Sequence, residues 1–286
     1  MTVIPLISVL LFMAMDRPAA DRLFEEGRME EARAAYETLL AAEDAPAVRA
    51  ELADRIGLAW LSEGRLWDAE TWFSRSIEEH ETALAHLHRG QAYFYAGSRA
   101  AEDPSVGGTE VTSLMNDAAR AIGRALELDE TLVEAFLTLG LCERYREKPE
   151  AEEAAYRRAL SLEPGRPDVS VHLAWRLEVE GRGGEAEEVL SAVAEDERDV
   201  GHWTALGRLA AARGEDAAAR DFWTRAVLLS PNEPSVYQGL WNSTALRKRF
   251  LEFADAMNTV VEAHPTAWRN NRRKDSPPDS LKTIKN

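Results

Sequence analysis

The stretch WTALGRLAAARGEDAAARDFW, residues 203–223, contains the pattern that decides the fold. Gly207 lies on a predicted helix whose pattern ends at Gly214. Further along, Ala219 and Trp223 lie four residues apart, so they share one face of a second predicted helix. The stretch therefore predicts two helices joined by a turn, with small residues that let the two helices cross closely.

The same arrangement recurs along most of the chain. Gly57 and Gly90 lie 33 residues apart, and Ala174 and Gly207 are separated by the same interval. A period of this length is typical of stacked units that cannot bury their apolar faces alone. The other copies of the pattern contain Gly27, Ala32, Tyr36 and Leu39; Gly57, Trp60, Gly64, Ala69 and Phe73; Gly90, Tyr93, Gly97, Ala118, Ile122 and Ala125; Gly140, Tyr156, Ala159 and Pro164; Gly181, Ala186 and Leu190; and Tyr237, Met257, Val260 and Pro265.

These residues resemble the pattern of the tetratricopeptide-repeat (TPR) family, in which Trp, Leu-Gly, Ala, an aromatic residue, Ala and Pro recur at a fixed spacing. The resemblance implies an all-α fold, a right-handed α-solenoid of about seven helix-turn-helix units over residues 18–265. Three positions depart from the pattern. Glu147 replaces a turn glycine, Ala174 replaces a first-helix glycine, and Glu152 stands where the family prefers a small residue, so we expect a rotated or loosened helix crossing there.

The third unit is longer than the others. Gly90 and Ala118 are 28 residues apart, whereas Gly57 and Ala69 are 12 apart, so 16 residues are inserted at about 98–113. The inserted sequence is rich in loop-forming residues, which predicts a surface loop. Such a loop is either a tolerated insertion or part of a binding face.

Composition and charge exclude some classes of partner. Hydrophobic residues make up 45% and charged residues 29% of the chain, as in a soluble folded protein, and strand-favouring runs are scarce. A net charge of −16 argues against binding to nucleic acid or to anionic membranes, because both need a basic surface. The segment 266–286 differs, since it sums to +4. We expect it to be a solvated, disordered tail, although it could also dock on an acidic surface.

The first 17 residues form an apolar segment with no charged side chain before Asp16. The segment has the length of a signal-peptide core and is too short for a comfortable membrane span. No Lys or Arg precedes it, so an apolar helix that caps the first unit is the alternative. We expect export, to the periplasm or another extracytoplasmic compartment, with a cytoplasmic location as the alternative. Membrane contact is expected only through this segment, if it stays uncleaved.

No motif of an enzyme is found in the sequence. Cys142 is the single cysteine, and its position on an apolar helical face predicts packing, not catalysis. His86 and His88 are two residues apart and so lie on different sides of a helix, which makes them a poor chelating pair. No phosphate-binding loop or nucleophile motif is found. We therefore expect no catalytic residues, no metal and no cofactor.

The first helix of each unit is expected to present a partner-binding surface. In the superhelix that the resemblance implies, these helices line the concave face, and residues one, four and five positions beyond the first-helix glycine point away from the second helix. These positions, with the preceding turn, form an apolar and aromatic stripe. The predicted partner-binding residues are Leu58, Leu61, Leu87, Gln91, Phe94, Tyr95, Leu137, Leu141, Arg144, Tyr145, Val171, Trp175 and Arg208.

We expect a non-catalytic protein-protein interaction scaffold that binds a partner peptide or helix on this face. Arg144 and Arg208 are possible contacts for an anion, but the stripe lacks the basic clamp with which some family members grip acidic tails. Strong curvature could instead bury the stripe as ordinary core. Two other functions stay open: a self-assembling homo-oligomer that mates through Trp241 and Phe250, and an accessory subunit that positions an enzyme through residues 266–286.

Overall fold

The computed structural model describes residues 16–230, and this part of the chain contains twelve α-helices and no β-strand. The helices are α1 (Arg17–Glu25), α2 (Met29–Ala42), α3 (Pro46–Ser62), α4 (Leu66–Glu79), α5 (Ala83–Glu102), α6 (Gly108–Leu128), α7 (Val133–Tyr145), α8 (Pro149–Leu162), α9 (Pro167–Val179), α10 (Gly183–Ser191), α11 (Val200–Ala212) and α12 (Asp216–Leu229). One 3-10 turn, Glu195–Glu197, precedes α11. The predicted all-α fold class is confirmed.

Consecutive helices pack as pairs, so the described chain contains six helix-turn-helix units in sequence order. The chain divides into two compact units, Met1–Leu162 with the first four pairs and Glu163–Asn286 with the last two. The predicted seventh unit with Trp241 and Phe250, the basic segment 266–286 and the apolar residues 1–15 lie outside the described residues.

The first helix begins at the position that the sequence indicates. Asp16 is its N-cap, and the Asp16 side chain accepts a hydrogen bond from the backbone N–H of Ala19 at 2.9 Å. Pro18 occupies the first turn, where a missing N–H costs no helical hydrogen bond. The repeat array therefore starts directly after the apolar segment.

Glycine allows the two helices of a pair to approach closely. A Cβ atom added to Gly57 would lie 2.5 Å from Cε1 of Phe73, and one added to Gly207 would lie 2.5 Å from Nε1 of Trp223. Real Cβ atoms do not come so close, so each aromatic ring packs directly on the backbone of the opposite helix. The predicted close crossing is thus present in two separate units.

The fourth pair keeps this close crossing, so the expected loosening at Glu152 is wrong. A Cβ atom added to Gly140 would clash with the ring of Tyr156, and that ring is fully buried. Glu152 is 2% exposed and lies within the core of the pair. The core therefore accommodates the longer side chain without separating the two helices.

The inserted residues are helical, contrary to the loop expected for them. They extend α5 to Glu102 and start α6 at Gly108, so these helices have 20 and 21 residues, and only 103–107 remain as a turn. In that turn the Asp103 carboxylate accepts hydrogen bonds from the backbone N–H and the hydroxyl of Ser105.

Gly97 lies in the extended part of this helix pair. It is inside α5, seven residues and thus two helical turns after Gly90. A Cβ atom added to Gly97 would lie 2.8 Å from Cε of Met115 on α6. The two glycines therefore form one small-residue face, along which α5 and α6 continue to pack past the length of the other pairs.

Candidate functional site

Four of the exposed large apolar side chains in the described range lie where the repeat pattern predicts an outward-facing stripe. Tyr95 and Tyr145 follow the glycines of their first helices by five residues and are 48% and 38% exposed. Trp175 and Val179 follow Ala174 by one and five residues and are 38% and 59% exposed. For these side chains, burial as ordinary core is excluded.

Three aromatic rings meet on the first helices of the third and fourth pairs. The ring centroid of Phe94 lies 5.6 Å from that of Tyr95 on α5 and 6.1 Å from that of Tyr145 on α7. Both tyrosine rings are inclined to the phenylalanine ring, by 59° and 68°. Such tilted and edge-on pairs are favourable aromatic geometries. We call Phe94, Tyr95 and Tyr145 the aromatic cluster.

The aromatic cluster is anchored in the protein core. Phe94 is half-buried and packs against a buried group that includes Met115 of α6 and Cys142 of α7. The close packing of α5 on α6 and of α7 on α8 fixes both first helices, as the glycine contacts of Gly90 and Gly140 require. The two exposed tyrosine rings therefore pack on a base that is anchored in the core.

Solved structures of similar architecture include bacterial proteins. PilF of Pseudomonas aeruginosa is 16% identical, with a TM-score of 0.59, and the match covers 77% of this chain and 92% of PilF. MamA of Desulfovibrio magneticus RS-1 is 18% identical, with a TM-score of 0.50, and covers 62% of this chain and 94% of its own. Another MamA structure is 21% identical, with a TM-score of 0.50 and coverages of 62% and 92%.

PilF and MamA are both TPR proteins. The chain has the TPR fold. At this low identity the likeness shows the fold alone. No protein-family model matches the sequence, and no curated protein matches it significantly.

Two predicted binding residues of the TPR array are part of its core. Leu87 is 3% exposed and Leu137 is 9% exposed. Leu87 packs in one buried cluster with Ile122 of α6 and Ala135 of α7. Both leucines precede their first-helix glycine by three residues, and this position faces a neighbouring helix. They cannot line an open surface, so the prediction that they bind a partner is wrong.

Val171 precedes Ala174 by three residues, so it occupies the same position as Leu87 and Leu137 and also faces a neighbouring helix. It is half-buried, and a Cβ atom added to Gly201 at the start of α11 would lie 3.5 Å from its methyl group. Val171 is therefore a contact between neighbouring first helices in the second compact unit.

Leu58 and Leu61 lie at the margin of the stripe. Both are half-buried and pack against the cluster of Ala69, Phe73 and Ala92, which joins α3, α4 and α5. Half-buried as well are Gln91, Leu141 and Arg144. Within the first compact unit, the exposed part of the predicted surface is thus centred on Tyr95 and Tyr145.

Arg208 is already paired within the protein. Its Nε atom donates to both carboxylate oxygens of Glu178 at 2.8 Å, and its Nη2 atom lies 2.7 Å from Oε2. This ion pair joins α11 to α9, which are the first helices of neighbouring pairs and contact each other. Because the guanidinium charge is compensated, the expected anion contact at Arg208 is replaced by a bond between repeats.

Cys142 is buried, and His86 and His88 each pair with a carboxylate. Cys142 is fully buried, and burial raises the pKa of its thiol to about 12. The Nε2 atom of His86 lies 2.9 Å from Glu81, whereas Nδ1 of His88 lies 2.8 Å from Asp54. Burial lowers the pKa of His86, which favours its neutral form. Across residues 16–230, no group of three or more side chains is arranged to hold a metal ion.

None of the helices between residues 16 and 230 combines the length and apolar character that a bilayer span requires.

Proposed function

We propose that this chain is a non-catalytic scaffold that binds a peptide or a helix of a partner protein through its first helices. The observation that carries the proposal is the aromatic cluster, in which Tyr95 and Tyr145 stay exposed on consecutive first helices although Phe94 anchors them in the core. Exposed aromatic side chains on a rigid base are typical of energetically important positions in protein interfaces.

The chemistry of the surface favours an apolar partner segment. Tyrosine offers a large flat ring together with one hydroxyl, so it suits either an amphipathic helix or an extended chain with apolar side chains. In the second compact unit, the charge of Arg208 is compensated by Glu178. We therefore propose apolar contacts as the main source of affinity.

The burial of the single thiol supports the non-catalytic part of the proposal. A nucleophilic cysteine must be exposed and must have a lowered pKa, whereas the pKa of Cys142 is raised.

Export, which follows from the apolar residues 1–15, is proposed as well. An alkaline-phosphatase fusion after residue 30 tests it, because that reporter folds only outside the cytoplasm.

A photo-crosslinking amino acid placed at position 95, 145 or 84 of the full chain tests the binding surface in the native cell. Leu84 is a matched control, because it lies on the same helix as Tyr95 and is 51% exposed, but outside the aromatic cluster. We expect the same protein adduct at positions 95 and 145 and none at 84. A Tyr95→Ala, Tyr145→Ala double variant should lose that partner in co-purification. Adducts of equal yield at all three positions would contradict the proposal.

A further inference from the structure

A second exposed aromatic side chain lies on α4, away from the first helices. Trp67 is in the first turn of α4 and is 59% exposed. Its ring meets the ring of Tyr93 edge-on, with 6.4 Å between the centroids. The Tyr93 hydroxyl donates a hydrogen bond of 2.9 Å to Oε1 of Glu70, which lies one turn after Trp67. The indole is therefore supported by a neighbour that is itself held in place.

A shallow, open groove lies along α4, and its first lining residue, Glu70, is one turn after Trp67. The groove has a volume of about 540 Å³, and its lining contains Glu70, Thr71, Ser74, Arg75, Glu78 and Glu79. Residues 67, 71, 74 and 78 follow one another at intervals of three or four positions, and residue 70 lies three after 67 and four before 74, so all five share one face of the helix. We call Trp67 and these groove residues the Trp67 surface.

The Trp67 surface is acidic. Its single cation, Arg75, lies 4.0 Å from Glu79, and Glu79 also forms a 2.6 Å ion pair with Arg49. Glu70 accepts hydrogen bonds from two neutral hydroxyls, those of Ser74 and Tyr93, which leave its negative charge uncompensated.

The position of Glu78 is unfavourable for the helix itself. Glu78 is exposed and lies in the last turn of α4, where the helix dipole is already negative. A basic side chain would stabilise the helix at this position, and α4 has none in its last turn. Glu78 therefore adds to the negative potential at this end of the groove.

We propose that the Trp67 surface docks a basic amphipathic helix of a partner protein. One apolar side chain of that helix packs on Trp67, and lysine or arginine side chains lie along the groove toward Glu70 and Glu78. Glu78 follows Trp67 by eleven residues, which corresponds to about 16 Å along α4, so the docked helix spans about three turns. A cation near the indole face adds to the affinity. This surface is separate from the aromatic cluster, so the inference goes beyond the proposed function.

Fluorescence anisotropy with a labelled 18-residue model helix tests the proposal. The probe has a leucine face and lysine at its other positions, and a matched peptide has glutamine in place of lysine. We expect the full chain to bind the lysine peptide and to lose affinity when salt is raised. Trp67→Ala should weaken binding by about tenfold and Glu78→Lys by about fivefold, whereas Trp67→Phe should keep part of the affinity. Leu84→Ala, at an exposed site outside both surfaces, should change the affinity by less than about twofold.

The variants also separate loss of binding from loss of folding. Glu78→Lys removes a negative charge from the negative end of the helix dipole, so its unfolding midpoint should be unchanged or higher. If Trp67→Ala binds the lysine peptide as tightly as the parent chain, attraction by the overall charge explains the binding and the proposal is overturned. If Tyr95→Ala abolishes binding and Trp67→Ala does not, the peptide uses the aromatic cluster, which overturns this inference and leaves the proposed function intact.

Discussion

Glu147 adopts the left-handed backbone conformation that Gly64 adopts at the equivalent turn, with φ angles of 56° and 69°. The hydrogen bonds around the two residues are also equivalent. The N–H of Glu147 donates to the carbonyl of Arg144 and the next N–H donates to Glu143, just as Gly64 and its successor donate to Leu61 and Trp60. The fourth turn therefore keeps the geometry of a glycine turn with a residue that has a Cβ atom.

Glu147→Gly is expected to raise the free energy of unfolding by about 0.5–1 kcal/mol, because a left-handed conformation strains a residue with a Cβ atom and does not strain glycine. Urea denaturation at neutral pH measures the change. Ala154→Gly, on the exposed face of α8, is the control and should lower the free energy of unfolding by about 1 kcal/mol. A loss of stability in Glu147→Gly would show that its side chain contributes more than the backbone strain costs.

Gly57 and Gly123 should respond in opposite ways to the same substitution. Gly57→Ala is expected to destabilise the protein by about 1–3 kcal/mol, because the new methyl group would lie 2.5 Å from the ring of Phe73. Gly123 lies within α6 and has no neighbouring atom within 4 Å of an added Cβ, so Gly123→Ala should stabilise by about 0.5–1 kcal/mol. Thermal denaturation of both variants measures the difference. Similar shifts for the two would rule out the close crossing of α3 and α4.

Cys142 is expected to be unreactive in the native protein. Burial stabilises the neutral thiol and raises its pKa to about 12, so almost no thiolate forms at pH 8, and the sulfur is not accessible. A colorimetric thiol reagent should therefore react slowly in buffer and completely in guanidinium chloride. Rapid reaction of the native chain would show that the packing of Phe94 on the buried group of Met115 and Cys142 opens easily.

Glu81 is expected to make stability depend on acid pH. The hydrogen bonds from Arg124 and His86 lower the pKa of Glu81 to about 2 in the folded chain. A carboxylate whose pKa is lower in the folded state contributes stability above its ordinary pKa, near 4.5, and this contribution is lost as the pH falls toward 2. Glu81→Gln should therefore flatten the fall in stability between pH 5 and pH 2. Glu130→Gln, another exposed site, is the control, and equal pH profiles for Glu81→Gln and the parent chain would contradict the prediction.

The sequence alone predicts the helix pairs and the direction of two exposed tyrosines. The repeat consists of small and large side chains at a fixed spacing within one unit. This spacing is enough to pair Gly57 with Phe73 and Gly207 with Trp223. Tyr95 and Tyr145 lie five residues beyond the glycine of their first helix, and helical spacing predicts that this position points outward, as it does.

The tertiary structure decided which members of the stripe are accessible and which charges are compensated. Leu87 is covered by α6 and α7, and Arg208 is paired with Glu178, which lies 30 residues earlier in the chain. A loop is expected directly after Gly97, but the helix continues there, and Gly97 packs against Met115 of α6. Periodicity is a property of one helix, whereas accessibility depends on what the neighbouring helices place against it, and only the stacking of repeats supplies those neighbours.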